Sequence, residues 1–306
     1  MEYLFSRYLA AKRTVDDRAL NRVVWEATAR FLSECQQEHG CTVLEVGAGS
    51  GSMFRRLVEW GAFWHGTYHA LDKLPENIAA ARQDIQRWGE GQRMTVLPLD
   101  MNHFSLSSQG KEIQLELEAC DVFDLIQQEA SRKTWDLLAA HAFLDLFNLP
   151  LILPGLASLV RPGGMLYLTA NFDGDTIFQP VWDEDLEARI IALYHRTMDE
   201  RVTDGRVSGD SQAGRHLFHL LEENRLEIIE AGSSDWVVYP CQGKYPADEA
   251  YFLHFILHFF EETLGIRADI EQGRFAEWVE RRHAQVERGE LVYLAHQLDF
   301  LVRKPF

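Results

Sequence analysis

A chain of 306 residues, 46% hydrophobic and 25% charged, has the make-up of an ordered globular protein with room for one large domain or two small ones. Asp and Glu outnumber Lys and Arg by 47 to 30, and the resulting formal charge of −17 repels nucleic-acid backbones and anionic lipid. Cys35, Cys41, Cys120 and Cys241 stand far apart with no CxxC pair, which excludes a small disulfide scaffold and fits a reducing cytoplasm.

The first residues carry an early acid and no continuous apolar run, so no signal peptide is expected. The most apolar stretch, Leu137 to Val160, is interrupted by His141, Asp145, Asn148, Pro150 and Pro154. A membrane span needs roughly 20 mostly apolar residues, so this stretch reads as a buried strand and helix.

In chain order, residues from about Glu2 to Ser33 read as helical, with Val23, Trp25, Ala27, Phe31 and Leu32 on apolar faces. The strand-like run Thr42-Val43-Leu44-Glu45-Val46 then meets the turn Gly47-Ala48-Gly49-Ser50-Gly51, and a helix follows with Met53, Phe54, Leu57 and Val58. A second strand, Tyr68 to Leu71, ends in Asp72, and Pro75 opens an alanine-rich helix. This β-loop-α-β-α order begins a parallel sheet. Further strands are expected over Leu115 to Cys120, Trp135 to Ala140 and Met165 to Ala170, with two late ones over Leu226 to Tyr239, bulged near Gly232, and Leu291 to Arg303. The fold class is therefore α/β, a seven-stranded, mostly parallel Rossmann-like sheet with helices on both faces. Three stretches exceed the simplest form of that pattern: 92–114, 171–209 and 242–289. Long ordered connections are usually functional, so substrate recognition is expected there.

The glycine turn carries the chemistry. Glycine permits positive φ and lets a ligand approach the backbone, while the N–H groups at a helix start suit an anionic group. Asp72, at the tip of the next strand, suits the hydroxyls of a ribose, although Asp also caps helices well. Glu45 equally suits a helix dipole. The dinucleotide fingerprint GxGxxG is not met, because Gly47-x-Gly49-x-Gly51 is followed by Ser52 and Met53.

With LEVGAGSG at 44–51, Asp72, ACDVFDL at 119–125, WDLLAAHAFLDL at 135–146 and LVRPGGMLYL at 159–168, the chain resembles the class I methyltransferases that use S-adenosylmethionine (SAM). The resemblance covers roughly residues 40 to 240 and the last strand. It implies SAM as cofactor, with S-adenosylhomocysteine as product. It further implies that Gly47, Ala48, Gly49 and Gly51 line the methionine moiety, with Glu45 orienting its amino group. Asp72 would hold the ribose beside Lys73, and Asp121 and the Val122 N–H would meet the adenine. His141 would lie near the sulfonium and the acceptor. Asp100 is a rival to Asp121, which is preferred because one helix fits between it and Trp135.

Residues 1–40 are expected to form a helical cap on a methyltransferase domain spanning 41–306, with helical substrate lids at about 171–216 and 246–288. Tyr194, His195, Arg201 and Arg215 in the first lid, with Trp236 as a wall, suit a polar small molecule, a carboxylate among its expected groups. Tyr194, His195 and His141 are the catalytic candidates. A protein or nucleic-acid acceptor, or SAM binding without catalysis, are the alternative functions. No metal is expected: His254 and His258 lie one turn apart, without an acidic ligand at motif spacing and among Phe255, Phe259 and Phe260. A cytoplasmic monomer or homodimer, without nucleic-acid or membrane partners, completes the expectation.

Overall fold

The computed structural model describes residues 3–129, 135–203 and 205–306; Glu2, the expected start of the first helix, lies outside them. Helix α1 (Phe5–Ala19) buries Tyr8, Ala11, Lys12, Val15 and Asp16, a single stripe at i, i+3 and i+4 spacing. Helix α2 (Arg22–Glu38) is capped by Asn21, whose side chain accepts from the N–H groups of Val23 and Val24. Strand β1 (Cys41–Val46) is buried on both faces, as a central parallel strand must be. Helix α3 (Ser52–Glu59), β2 (His65–Asp72) and α4 (Pro75–Gly91) complete the first βαβα unit.

The stretch 92–114 does more than lengthen a connection. It forms an antiparallel hairpin, β3 (Thr95–Pro98) and β4 (His103–Ser108), that extends the sheet beyond β5 (Lys111–Ala119). Helix α5 (Val122–Glu129), β6 (Trp135–His141) and α6 (Leu149–Leu159) follow. Strand β7 (Val160–Gln179) runs for 20 residues, so the chain does not leave the sheet at Ala170 and the expected first lid starts later than 171. That lid consists of α7 (Glu184–Asp199) and a small hairpin, β8 (Val202–Thr203) with β9 (Arg206–Val207), before α8 (Ala213–Glu223) returns to the sheet. Strands β10 (Glu227–Ser233) and β11 (Trp236–Val238) precede α9 (Glu249–Leu264), α10 (Gln272–Glu287) and β12 (Val292–Arg303).

The strand order is β10-β12-β7-β6-β1-β2-β5-β4-β3, with β11 also on β12; the expected seven strands are all present, the one expected over 226–239 is divided into β10 and β11, and β3 and β4 are additional. Strands β5, β2, β1, β6 and β7 are mutually parallel, and β12 enters antiparallel between β7 and β10. That antiparallel insertion departs from the order of dinucleotide-binding sheets. The register shift in β10 falls between Ile228 and Glu230 rather than at Gly232. Gly232 serves another need, because a Cβ there would collide with the side chain of Asn21.

Three cores follow from this layering. One face of the sheet packs on α2, α3 and α4, and the other on α5, α6 and α8. The third core joins α1, α7, α9 and α10 to β11 and the outer halves of β7 and β12 around Phe252, Phe260 and Trp278, so this helical cap takes α1 but not α2 from the expected 1–40 segment, α2 packing on the sheet instead. Helix α9, apolar all round, is buried along most of its length.

Gly66 tests the β1–β2 pairing. Its φ is +137°, and a Cβ there would collide with the Cys41 carbonyl. Gly66→Ala is therefore expected to cost roughly 3 kcal/mol, the range of strained-backbone substitutions, measured as a drop in the urea midpoint; an unchanged midpoint would contradict the close approach.

Candidate active site

Ligands of open α/β sheets sit beyond the carboxyl ends of the strands, and a cleft of about 560 Å³ lies there. Gly47 and Leu71 form its floor, and Lys73, Asp121, Val122 and Phe123 one end. Phe143, Leu146 and Phe147, which follow β6, form a wall, and Arg201, Thr203, Val207 and Ser208, between α7 and α8, line the rest. The structure thus brings together Gly47, Lys73, Asp121, Val122 and Arg201 of the residues singled out in the sequence.

The glycine turn is built as its residue types require. Gly47, Gly49 and Gly51 have φ of +68°, +54° and +78°. A Cβ on Gly47 would run into the Phe143 ring, which makes glycine obligatory there. Gly49 and Gly51 face Leu9 of α1 and Ala81 of α4, and Ala48 is buried with its N–H on the Leu71 carbonyl.

Asp72 supports the turn from below. Its Oδ2 accepts from the Gly49 N–H at 2.8 Å, and its Oδ1 from the Leu74 N–H at 2.9 Å and Asn77 Nδ2 at 3.1 Å. The carboxylate therefore holds the turn and the start of α4. Asp121 caps α5 by accepting from the Phe123 N–H at 2.8 Å, and Lys73 Nζ lies 3.1 Å from its Oδ2. Asp100, the rival, is exposed in the β3–β4 turn and bonded to His103.

Glu45 lies beneath the turn and away from the cleft: it is buried and accepts from the Tyr68 hydroxyl at 2.7 Å. Burial pushes it up to about 7, against the Tyr68 hydrogen bond and the nearby Arg56. His141 is also turned from the cleft. Its Nδ1 lies 2.8 Å from the Thr169 hydroxyl and its Nε2 3.0 Å from Asp16 Oδ2. Burial pushes His141 down to about 4, with Asp16 opposing and Lys12 adding to the effect. Burial alone would raise Asp16, but Lys12, 3.1 Å away, and then His141 hold it well below the usual carboxylate range. His141 Nε2 is buried beside the Asp16 carboxylate without an aligned hydrogen bond, so the ring ties α1 to the sheet through the Thr169 hydroxyl and its contact with Asp16.

Trp236 belongs to the same tie, donating its indole N–H to Asp16 Oδ1 at 2.9 Å. Arg215 lies outside the cleft and clamps α8 to β7 through Asp173 at 2.9 Å. His195 meets the Thr176 hydroxyl at 3.1 Å on the extension of β7, and burial lowers its pKa. Tyr194 stacks on Phe260 with ring centroids 3.8 Å apart; burial raises its hydroxyl to about 12, with Arg201 opposing and Asp145 adding.

Asp145 is the residue that sequence reasoning passed over. It follows β6 between the wall residues Phe143 and Leu146, and its Oδ1 is buried without a hydrogen-bond partner. Burial raises its pKa, with Arg201 and Lys12 opposing. Its position just past a strand tip was the available signal.

No family model matches the chain, and no curated protein does. Among solved structures it is similar to a protein of Galdieria sulphuraria described as a sarcosine dimethylglycine methyltransferase (14% identity, 92% of this chain and 86% of that one, TM-score 0.42). It is also similar to the cyclase SpnF (14%, 90% and 81%, 0.39). A third is the geranyl diphosphate C-methyltransferase of Streptomyces coelicolor A3(2), solved with Mg²⁺, geranyl diphosphate and S-adenosyl-L-homocysteine (10%, 91% and 80%, 0.41). Resemblance at that level leaves the fold to be read from this chain's own strands and the function from its own residues.

Glu45 gives a pH signature. Because its folded pKa is raised, the native state keeps a proton that the unfolded chain loses, so its contribution to stability falls as pH rises from about 4.5 to 7. Glu45→Gln is expected to stabilise the protein at pH 8 by on the order of 2 kcal/mol and to change little at pH 4.5; urea unfolding at the two pH values checks this, and equal effects at both would refute it. The chain has the Rossmann-like, mostly parallel seven-stranded sheet, with β4 and β3 added at one edge, β11 paired on β12, and helices over it.

Proposed function

We propose that this chain transfers the methyl group of SAM to a polar small molecule held in the cleft under the cap. The observation that carries the reading is the cleft's composition. A glycine turn with positive φ lies at its floor, and a Lys73–Asp121–Val122 edge with apolar walls at one end. Arg201 lies at the other end, with the unsatisfied carboxylate of Asp145 nearby. A flat apolar wall beside one acid and one backbone N–H suits an adenosine, and the close backbone of Gly47 suits the chain that follows it. The GxGxG spacing and the antiparallel β12 speak against a dinucleotide in the same place.

SAM supplies an activated methyl on a positive sulfur. The residues of this chain have the remaining tasks: to bind, orient and take up a proton. Arg201 anchors a carboxylate or another anionic group of the acceptor. Asp145, with a pKa raised by burial, accepts the proton that a hydroxyl or ammonium group loses as it attacks the methyl. Asp72 fixes the turn, and its own contact with the ribose is part of the proposal. His141 and His195 act through position, one through α1 and the other through β7. The surplus of acidic residues favours a small acceptor over nucleic acid.

Calorimetry with SAM, S-adenosylhomocysteine and NAD tests the cofactor. SAM and its product should bind and NAD should not, and Asp121→Ala should weaken SAM by about 10- to 100-fold, the worth of one charge-assisted hydrogen bond. NAD binding in place of SAM would overturn the reading. Turnover of labelled SAM against a metabolite mixture tests the acceptor. Asp145→Asn should lower it by at least about 100-fold with SAM affinity kept, Arg201→Ala should raise the acceptor KM, and the rate should fall as pH drops through the Asp145 pKa. Full turnover in Asp145→Asn would remove the base assignment and leave the cofactor assignment standing.

A further inference from the structure

A second cluster of chemically active side chains lies on the sheet, on strands that the methyl-transfer reading does not use. Parallel pairing sets His69 of β2 beside Glu116 of β5, and antiparallel pairing sets Glu116 beside His103 of β4. Neighbours in register point to the same face, and Glu118, two residues further along β5, shares it. Ile113, Leu115 and Leu117 alternate with them and are buried in the core on the opposite face. A polar sheet face ordinarily needs only solvent, but His69 is 6% exposed, with the Trp135 ring 5.7 Å away.

His69 presents Nδ1 3.9 Å from Glu116 Oε2 and Nε2 2.9 Å from Glu118 Oε2. One ligand atom from each of His69, Glu116 and Glu118 lies within 4.8 Å of the other two. His69 Nε2 is buried without a hydrogen-bond partner even though Glu118 Oε2 stands 2.9 Å away, so the two atoms are close but not aligned to share a proton. Buried polar groups are rarely left in that condition. His103, half-exposed on β4, stands next to this group. Its Nδ1 is 2.9 Å from both oxygens of Asp100, and its Nε2 is 3.4 Å from Glu116 Oε1. Asp100 thus holds the ring so that Nε2 faces the Glu116 carboxylate. A carboxylate behind a histidine is also the outer-shell partner that fixes metal-binding imidazoles.

We propose that His69, Glu116 and Glu118, with His103 as the fourth ligand oriented by Asp100, form a binding site for a divalent transition-metal ion, with Zn²⁺ as the ion that best matches two imidazoles and two carboxylates. Two carboxylates balance the ion's charge, and four protein ligands leave no open position, so the role is structural. The ion clamps β2, β5 and the β3–β4 hairpin, which is otherwise joined to the sheet through β5 alone. His69 and Glu118 each lie two residues before a residue that lines the cleft, Leu71 and Cys120, so the clamp stiffens the sheet directly behind the cleft's Lys73–Asp121 end. This inference does not depend on the methyl-transfer reading.

The test uses the full chain stripped with a chelator. Titration with Zn²⁺ should show one site per chain, Co²⁺ should give the visible absorption of a four-coordinate ion, and the melting temperature should rise with Zn²⁺. His69→Gln and Glu118→Gln should each weaken Zn²⁺ by more than about tenfold, and Asp100→Asn by about tenfold, the usual effect of an outer-shell partner. The double variant His254→Gln/His258→Gln, which removes the histidine pair of α9, should bind as the parent does. Glu118 is partly exposed, so Glu118→Gln decides the matter if His69→Gln fails to fold. Absence of Zn²⁺ binding at micromolar concentration, unchanged binding in Glu118→Gln, or loss of binding only in the α9 double variant would each overturn the proposal.

Discussion

The cap and the sheet meet at one buried carboxylate. Asp16, on α1, is 3% exposed and gathers Lys12 from its own helix, the indole N–H of Trp236 from β11 and the imidazole of His141 from the end of β6. An ionised group at that depth is tolerable only when every neighbour is arranged around it, and removing one partner leaves an uncompensated charge. The constraint therefore fixes more than a contact. It sets the height of α1 above the strand tips and brings Leu9 over Gly49. A second carboxylate repeats the device nearby: Asp299, fully buried, accepts from the Asn21 N–H after α1 and from the Ala170 N–H in β7.

The sheet was legible because its strands announce their ends. Val43 to Val46 runs into three glycines, Tyr68 to Leu71 into Asp72, and the strand before Asp121 into a helix cap, all marks of short-range chemistry. What escaped was decided at long range. Asn171-Phe172-Asp173-Gly174-Asp175 has the composition of a turn, yet it continues β7. There β12 pairs with Asn171 and Phe172 and again from Thr176, with Asp173, Gly174 and Asp175 bulged between, Asn171 donates to the Leu298 carbonyl at 2.8 Å, and Arg215 neutralises Asp173. The β3–β4 hairpin escaped for the opposite reason, since its strands are short, mixed in polarity and stabilised by pairing on β5.

The site divides along the same line. Gly47, Lys73, Asp121 and Val122 follow from position at strand tips, and the fold delivers them to the cleft. The polar residues of the lid and wall do not follow from type alone. His141, Trp236 and Arg215 look like ligand contacts in the sequence, but each has a partner distant in the chain: Asp16 for the first two, Asp173 for the third. Asp145 shows the converse, a plain surface-type residue with one oxygen buried and unsatisfied. Whether a polar side chain serves the fold or a ligand depends on how many of its hydrogen bonds the fold already uses, and a linear sequence does not contain that count.

Strands β7 and β12 run without a break from the sheet into the cap, the first over 20 residues and the second over 12, paired with each other along both halves. The two parts consequently have no seam. Domains assembled by gene fusion can be parted at a linker, but here any cut between scaffold and cover severs two strands that pair on both sides of a bulge, and exposes raw strand ends to water. The cover is a graft that has become part of the trunk, and variation that retunes it is confined to the loops and helices it carries.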